Sequence, residues 1–253
     1  MRVTFLGTGT SQGIPVIGCD CPVCQSPDPH DKRLRTSIMV EYNNRVVVVD
    51  TGPDFRQQML DNDVQQLDAI LFTHEHRDHT AGLDDVRAFN FKQRLPADIY
   101  ATPHVQRELQ KQFAYIFANP NYPGVPKVEL HDIEDHPFEL FDLAITPINV
   151  LHYKLPVVGF RFGDFTYITD ANYIAPEEKA KVKGTDTLVL NALRKEDHIS
   201  HFTLEEALAL IEELAPRKAY LTHLSHQMGR HTDVEAELPS NVCIAYDGLT
   251  IHV

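Results

Sequence analysis

Positive charge is scarce in this chain. Its 253 residues hold 23 Lys and Arg against 36 Asp and Glu, a formal net charge of −13. That balance speaks against an extended nucleic-acid surface, because neutralising phosphates takes clustered Lys and Arg. A small anionic ligand at a local positive centre stays open. Long apolar runs are also missing. None approaches the ~18 residues of a membrane span, and the opening MRVTFLGTGT lacks the apolar core of an export signal. The expectation is a cytoplasmic protein without a membrane partner. Cysteine is sparse, with 4 residues, and without export a disulfide framework is not expected. No repeat, low-complexity tract or linker divides the chain. Residues 1–253 are therefore expected to form a single domain, long enough to bury a core.

The apolar pattern that is present mixes two periods. Strand-like runs recur at 2–6, 37–42, 45–50, 69–73, 143–149, 157–162, 165–169, 187–191, 218–222 and 242–246. Asn43-Asn44 and Gly163-Asp164 read as two-residue hairpin turns. The 69–73 run has the apolar continuity of a strand buried on both faces. Helical spacing is clearest over 203–214. There Thr203 and Glu206 make a capping box, Leu204, Ala207, Leu208 and Ile211 form a stripe, and Pro216 ends the helix. Further helices are expected over 83–93 and 103–117, and the Pro-rich residues 119–126 read as loop. Hairpins early and strand–helix alternation later predict a mixed α/β (α+β) sandwich rather than a doubly wound sheet.

Histidine is plentiful where cysteine is not, at 14 residues, and it is the commonest metal ligand. Directly after the 69–73 run comes His74-Glu-His76-Arg-Asp78-His79. Alternate side chains of an extended segment share a face. His74, His76 and Asp78 are thus expected to converge, with His79 opening a short helix through Gly82 and Leu83. Three imidazoles and a carboxylate this close suit a borderline divalent ion, Zn²⁺ or Mn²⁺. The plain alternative is a solvated His-rich loop. A second cluster is Cys19-Asp-Cys21-Pro-Val-Cys24. Structural zinc takes four donors in a closed tetrahedron, so one is missing, and Cys243 is a candidate. Gly7-Thr-Gly-Thr-Ser11 is not followed by Gly-Lys-Ser/Thr and reads as a turn near this cluster, not a phosphate-binding loop.

Thr73-His-Glu-His-Arg-Asp-His79 resembles the signature of the metallo-β-lactamase-fold hydrolases, and the order of later elements is similar over nearly the whole chain. The resemblance implies a four-layer αβ/βα sandwich, the metallo-β-lactamase fold, with two divalent metals at one edge between its sheets. The matching positions for further ligands are His152, Asp170 and His223, each after an apolar run. By resemblance His74, His76 and His152 hold one metal, Asp78, His79 and His223 the other, and Asp170 bridges. The Gly-Cys-x-Cys-x₂-Cys segment is similar to that of the PhnP-type phosphodiesterases of phosphonate metabolism. This implies that His226 completes a structural Zn²⁺ site. Spacing alone does not separate His223 from His226, since i and i+3 on a helix share a face. Proteins of coenzyme PQQ formation share the cysteine segment but typically alter the histidine motif, which is intact here.

Two metals ~3.5–4 Å apart can hold a hydroxide between them and clamp the oxygens of a phosphoryl displacement. The resemblance therefore implies a metal-dependent phosphodiesterase for a small, cyclic ribosyl phosphodiester. Asp78 would orient the hydroxide as well as bind metal. A leaving alkoxide needs a proton. His201, just before the 203–214 helix, is the candidate donor, and His198 is its rival. Lys154 and Arg161 are candidates to touch an anionic substrate, while His30, His104, His131, His136, His231 and His252 read as surface residues. Rival functions are a tRNA 3′-endonuclease-like activity, a thioester hydrolase on the same metals, and a non-catalytic metal- or redox-sensing protein. No Gly-, Pro- and Lys-rich insertion offers an RNA arm. A homodimer is compatible with each reading.

Overall fold

The computed structural model describes residues 1–118 and 122–253. Two sheets face each other. The first runs, edge to edge, Thr250–His252, Arg2–Gly7, Ser37–Tyr42, Arg45–Val49, Ala69–Leu71, Ala97–Ala101 and Val128–Asp132. The second runs Tyr173–Ile174, Leu143–His152, Leu155–Phe162, Phe165–Ile168, Thr187–Asn191, Lys218–Thr222 and Val242–Ile244, with Phe138–Leu140 paired beside the long strand. Each sheet is antiparallel in one half and parallel in the other. The sequence shows no repeat, yet the two halves of the fold share this plan.

Side-chain alternation makes the layers. Val47 and Val49 enter the core between the sheets, while Val48 faces the helices on the other side. Ala69 and Leu71 likewise face inward and Ile70 outward, so the expected doubly buried strand is present. In the second sheet Val189 joins the inter-sheet core, whereas Leu188 and Leu190 pack under the Leu204–Leu214 helix. Three cores between four layers give the αβ/βα sandwich.

Local signals explain most elements. Asn43 and Asn44 adopt φ of 47° and 60°, as a type I′ hairpin turn requires. Thr203 and Glu206 complete the capping box of Leu204–Leu214. Two expected helices are broken. Over 83–93, a 3₁₀ turn at Leu83–Val86 precedes the helix Arg87–Gln93 and brings buried Leu83 and Val86 onto one face. Over 103–117, Phe113 leaves helical geometry between Pro103–Gln112 and Ala114–Ala118, which lets both Phe113 and Ile116 reach the core. Of the expected 119–126 loop, residues 119–121 lie outside the described residues, and 122–126 is irregular. Among the described residues no helix is long and apolar enough to cross a membrane.

Candidate metal centres

The parallel strands of both sheets deliver polar residues just past their carboxyl ends, where open α/β sheets bind ligands. Asp50 follows Arg45–Val49, His74 follows Ala69–Leu71, Asp170 follows Phe165–Ile168 and His223 follows Lys218–Thr222. Asp50, Asp170 and His223 adopt left-handed φ of 66°, 52° and 56°. Such geometry costs non-glycine residues ~1–3 kcal/mol each. Here it turns each side chain off its strand line into one place.

The His74–His79 segment converges, but not by strand alternation. The strand stops at Leu71, and the helix is Arg77–Thr80, so His76 precedes it and Asp78 and His79 ride on it. This turn sits against the 50–52 loop. The His79 carbonyl accepts from Thr51 N–H at 2.8 Å, and a Cβ at Gly52 would collide with the Asp78 carbonyl. Gln112 braces the other side, donating to the Glu75 carbonyl at 2.9 Å and accepting from Thr80 Oγ1 at 3.1 Å.

Ring orientations are fixed from behind. His79 Nδ1–H donates to Asp50 Oδ2 at 2.7 Å. Thr73 Oγ1 donates to the same oxygen at 2.8 Å and accepts from His74 Nδ1, 2.9 Å away. His152 Nδ1–H donates to the Ser200 carbonyl at 2.8 Å. Each ring thereby presents Nε2 inward, the arrangement that outer partners impose on metal-binding histidines.

The inner atoms form two overlapping groups. Asp78, His79, Asp170 and His223 have donor atoms within 4.8 Å of one another, with His79 Nε2 at 3.3 Å from Asp78 Oδ2 and 3.2 Å from Asp170 Oδ2. His223 Nε2 is 3.2 Å from Asp170 Oδ1. Bonds of ~2.0–2.2 Å at a tetrahedral angle would set such donors ~3.4 Å apart. On the other side, ring centroids separate His74 from His76 by 4.6 Å, His74 from His152 by 6.0 Å, and His76 from His152 by 5.2 Å. Nε2 of both His74 and His223 is buried without a hydrogen-bond partner. Orphaned buried acceptors beside carboxylates are what a cation site leaves behind, so these residues fit divalent metal.

Charge follows geometry. Burial disfavours the Asp78 and Asp170 carboxylates, but the facing imidazoles, His79 for the first and His223 for the second, overrule it and hold both acids below the usual range. Burial, and then His79, push His74 well down. His201 is nearer than expected. Its ring lies 4.4 Å from His152 and 4.8 Å from His223, and its donor atoms group with those of His152 and Asp170. Burial, then His223, depress it to about 2. His198 lies one ring further out, 5.1 Å from His201.

The cysteine cluster is separate. Cys19, Cys21 and Cys24 Sγ stand 3.3, 3.3 and 3.6 Å from His226 Nδ1. Zn–S of ~2.3 Å and Zn–N of ~2.0–2.1 Å at a tetrahedral angle require ~3.6 Å. Cys243 is elsewhere, on the edge strand Val242–Ile244. His223 and His226 part because the segment is not helical: His223 sits at a left-handed bend, Leu224 bridges to Gly9, and His226 opens a turn. The Gly7–Ser11 turn pins it there: Leu224 N–H donates to the Thr8 carbonyl at 2.9 Å, and Thr10 N–H to the Leu224 carbonyl at 3.0 Å.

Other expectations need correction. Arg161 pairs with Thr146 at the far end of the hairpin from His152, and its guanidinium is spent on the Gly163, Lys181 and Lys183 carbonyls. Lys154, by contrast, stays in the turn beside His152, exposed and over the Tyr153 ring, where its expected contact with an anionic substrate is not contradicted. His30 and His231 are half-buried, their rings 4.7 Å apart, with Arg33 donating to His231. Asp50 and Gln112 were not singled out by the sequence. Asp50 had a signal, an acid directly after an apolar run like Asp170, whereas Gln112 had none.

Comparisons agree with this geometry. A curated relative, an octanoyltransferase of Porphyromonas gingivalis (strain ATCC BAA-308 / W83), is 39% identical over 252 residues, 98% of this chain and 51% of that protein. The chain thus spans about half the length of this relative. A crystal structure of a new diphosphatase from the PhnP family is 39% identical with a TM-score of 0.94, covering 100% of this chain and 97% of the other. Zn²⁺-bound PqqB from Methylobacterium extorquens shares the fold at a TM-score of 0.80 and 21% identity, covering 100% of both chains. Residues 45–224 match the Beta-lactamase superfamily domain. With the sandwich, the His-x-His-x-Asp-His turn and that match together, the chain belongs to the β-lactamase superfamily and has the metallo-β-lactamase fold.

Proposed function

We propose that the chain is a dinuclear metal-dependent phosphodiesterase acting on small phosphodiesters. The observation that carries this reading is Asp170. One buried carboxylate faces His79 and His223, which would hold one ion, and also groups with His152, which would hold the other, and this supports a carboxylate shared by both ligand sets. In this reading His74, His76 and His152 hold one ion, and Asp78, His79 and His223 the other. When bound, two divalent cations, Mn²⁺ or Zn²⁺, supply Lewis acidity and a nucleophile at neutral pH. Cys19, Cys21, Cys24 and His226 hold a structural Zn²⁺.

The residues do the positioning. Asp50, Thr73 and Ser200 aim the imidazoles, and Asp78 also orients the attacking group. His201 donates the proton to the leaving oxygen. Its ring is neutral in the free chain, and an anionic phosphoryl oxygen within hydrogen-bond reach favours the charged form. A cyclic ribosyl phosphodiester is the substrate class favoured by the likeness to PhnP-type proteins. A second reading, hydrolysis of a diphosphate, has support in the 39% identical PhnP-family protein described as a diphosphatase. The formal charge of −13 weighs against long RNA.

The test is turnover of bis-p-nitrophenyl phosphate with added Mn²⁺ or Zn²⁺, followed by a panel of 1,2-cyclic, 2′,3′-cyclic, linear and diphosphate substrates. Metal-dependent hydrolysis is expected. Absence of turnover across the panel with either metal rejects the reading.

A further inference from the structure

Arg194 stands between the two clusters and belongs to neither. Its guanidinium makes three hydrogen bonds: Nε donates to the Glu196 carbonyl at 3.2 Å, Nη2 to the Asp197 carbonyl at 2.6 Å, and Nη1 to Gln227 Oε1 at 2.8 Å. The first two acceptors lie in the 195–201 loop. That loop carries His198 and His201, and its Ser200 carbonyl receives the His152 Nδ1–H. The third acceptor is on the residue next to His226. The neck of the loop is closed by Leu193 N–H to the Phe202 carbonyl at 3.0 Å and Leu204 N–H to the Arg194 carbonyl at 2.9 Å. Within the loop there is no helix or strand. The fork of Arg194 supplies fixed geometry where the backbone ladder does not, and a planar guanidinium with five N–H groups is suited to three divergent acceptors.

We infer that Arg194 is a positioning residue that sets the 195–201 loop against the metal centre, and that its bond to Gln227 makes the order of the loop depend on metal in the cysteine cluster. The path is continuous. With metal bound, Cys19, Cys21 and Cys24 would hold the His226 ring, which fixes the adjoining Gln227, and Gln227 holds the guanidinium that ties down the Glu196 and Asp197 carbonyls. Empty, the cysteine cluster would free that acceptor and loosen the seat of His198, His201 and Ser200. The catalytic consequence rests on the reading of His201 as proton donor, but the loop order does not.

Two measurements separate these layers. Amide hydrogen exchange at Leu193 and Leu204 reads the neck of the loop directly. Arg194→Met and Gln227→Ala are each expected to speed it about 10-fold, with the Phe165–Ile168 strand unchanged. Cys21→Ser is expected to do the same, and Gln227→Ala keeps the link testable if Cys21→Ser does not fold. Unchanged exchange in Arg194→Met overturns the positioning role. Unchanged exchange in Gln227→Ala, or in a folded Cys21→Ser, overturns the dependence on the cluster. The second measurement compares phosphodiesters with phenol and p-nitrophenol leaving groups. An acidic nitrophenol departs without a donated proton, so Arg194→Met should lose about 10- to 100-fold on the phenyl ester and far less on the nitrophenyl ester. Arg194→Lys should recover part of the loss. Equal losses on both esters overturn the catalytic consequence. If the wild-type protein hydrolyses neither, the phosphodiesterase reading fails while the exchange result stands by itself.

Discussion

The two candidate metal sites share one short segment, which gives His223 to one and His226 to the other, yet they are built in opposite ways. Three of the four donors of the cysteine cluster come from six consecutive residues on a loop, and the cluster is closed and partly exposed. The seven residues of the histidine–aspartate centre come from four separate stretches across both sheets, mostly buried, with Asp50, Thr73 and Ser200 behind them. A closed site needs only its own ligands to be complete and suits a structural role. An open one draws its precision from the sandwich around it and has room for substrate.

That contrast is sharpest in a double dissociation. Cys21→Ser should lose one zinc per chain while the other metals stay, as metal analysis would read. The scale is the ~10 kcal/mol or more that structural zinc contributes in small domains. Full zinc content in the variant would break the assignment. Conversely, Asp78→Ala should keep that zinc and lose about 10³-fold in turnover, the several kcal/mol a catalytic cation supplies. Near-wild-type rates would remove Asp78 from the centre.

The partition between the sites can be probed by pH. Asp247 accepts from Thr8 Oγ1 and Leu34 N–H beneath the Gly7–Ser11 turn, and burial raises it from 3.8 to about 6. An acid raised in the folded state favours folding where it is protonated. Its contribution is whole below about pH 4 and lost as pH rises through about 6. Between those values, urea unfolding of the wild type should lose on the order of 3 kcal/mol that Asp247→Asn does not lose. Parallel curves would clear Asp247. The smallest effect is expected behind the open site. Asp50→Asn turns an amide N–H toward His79 Nδ1–H, and metal affinity should fall about 10- to 100-fold by competition titration. An unchanged affinity would mean that His79 needs no such support.

Legibility in the sequence followed the same divide. The cysteine cluster and the His74–His79 run are local, and six-residue spacings announce both. The strands were readable because their residues alternate between two cores, as Val47, Val48 and Val49 do. What spacing could not give was direction. The left-handed turn at Asp170, the helical placement of Asp78 and the inward fall of His201 depend on contacts between distant segments. His226 was separable from His223 only by likeness to relatives, because its direction depends on a turn more than 200 residues earlier holding Leu224. Arg161 misled for the converse reason, since a strand carries a residue away from its sequence neighbours at ~3.3 Å per residue.

The pinned segment from His223 to His226 also carries a constraint on length. Leu224 is held to the Gly7–Ser11 turn by both its N–H and its carbonyl, so removing one of the two residues between the histidines would draw His223 or His226 out of its cluster and leave that site short by a donor. Single substitutions at Leu224 or Ser225 change packing and bonds but keep that spacing. Most surface loops of the molecule can grow or shrink by a residue at small cost, whereas here the number of residues is itself part of the chemistry.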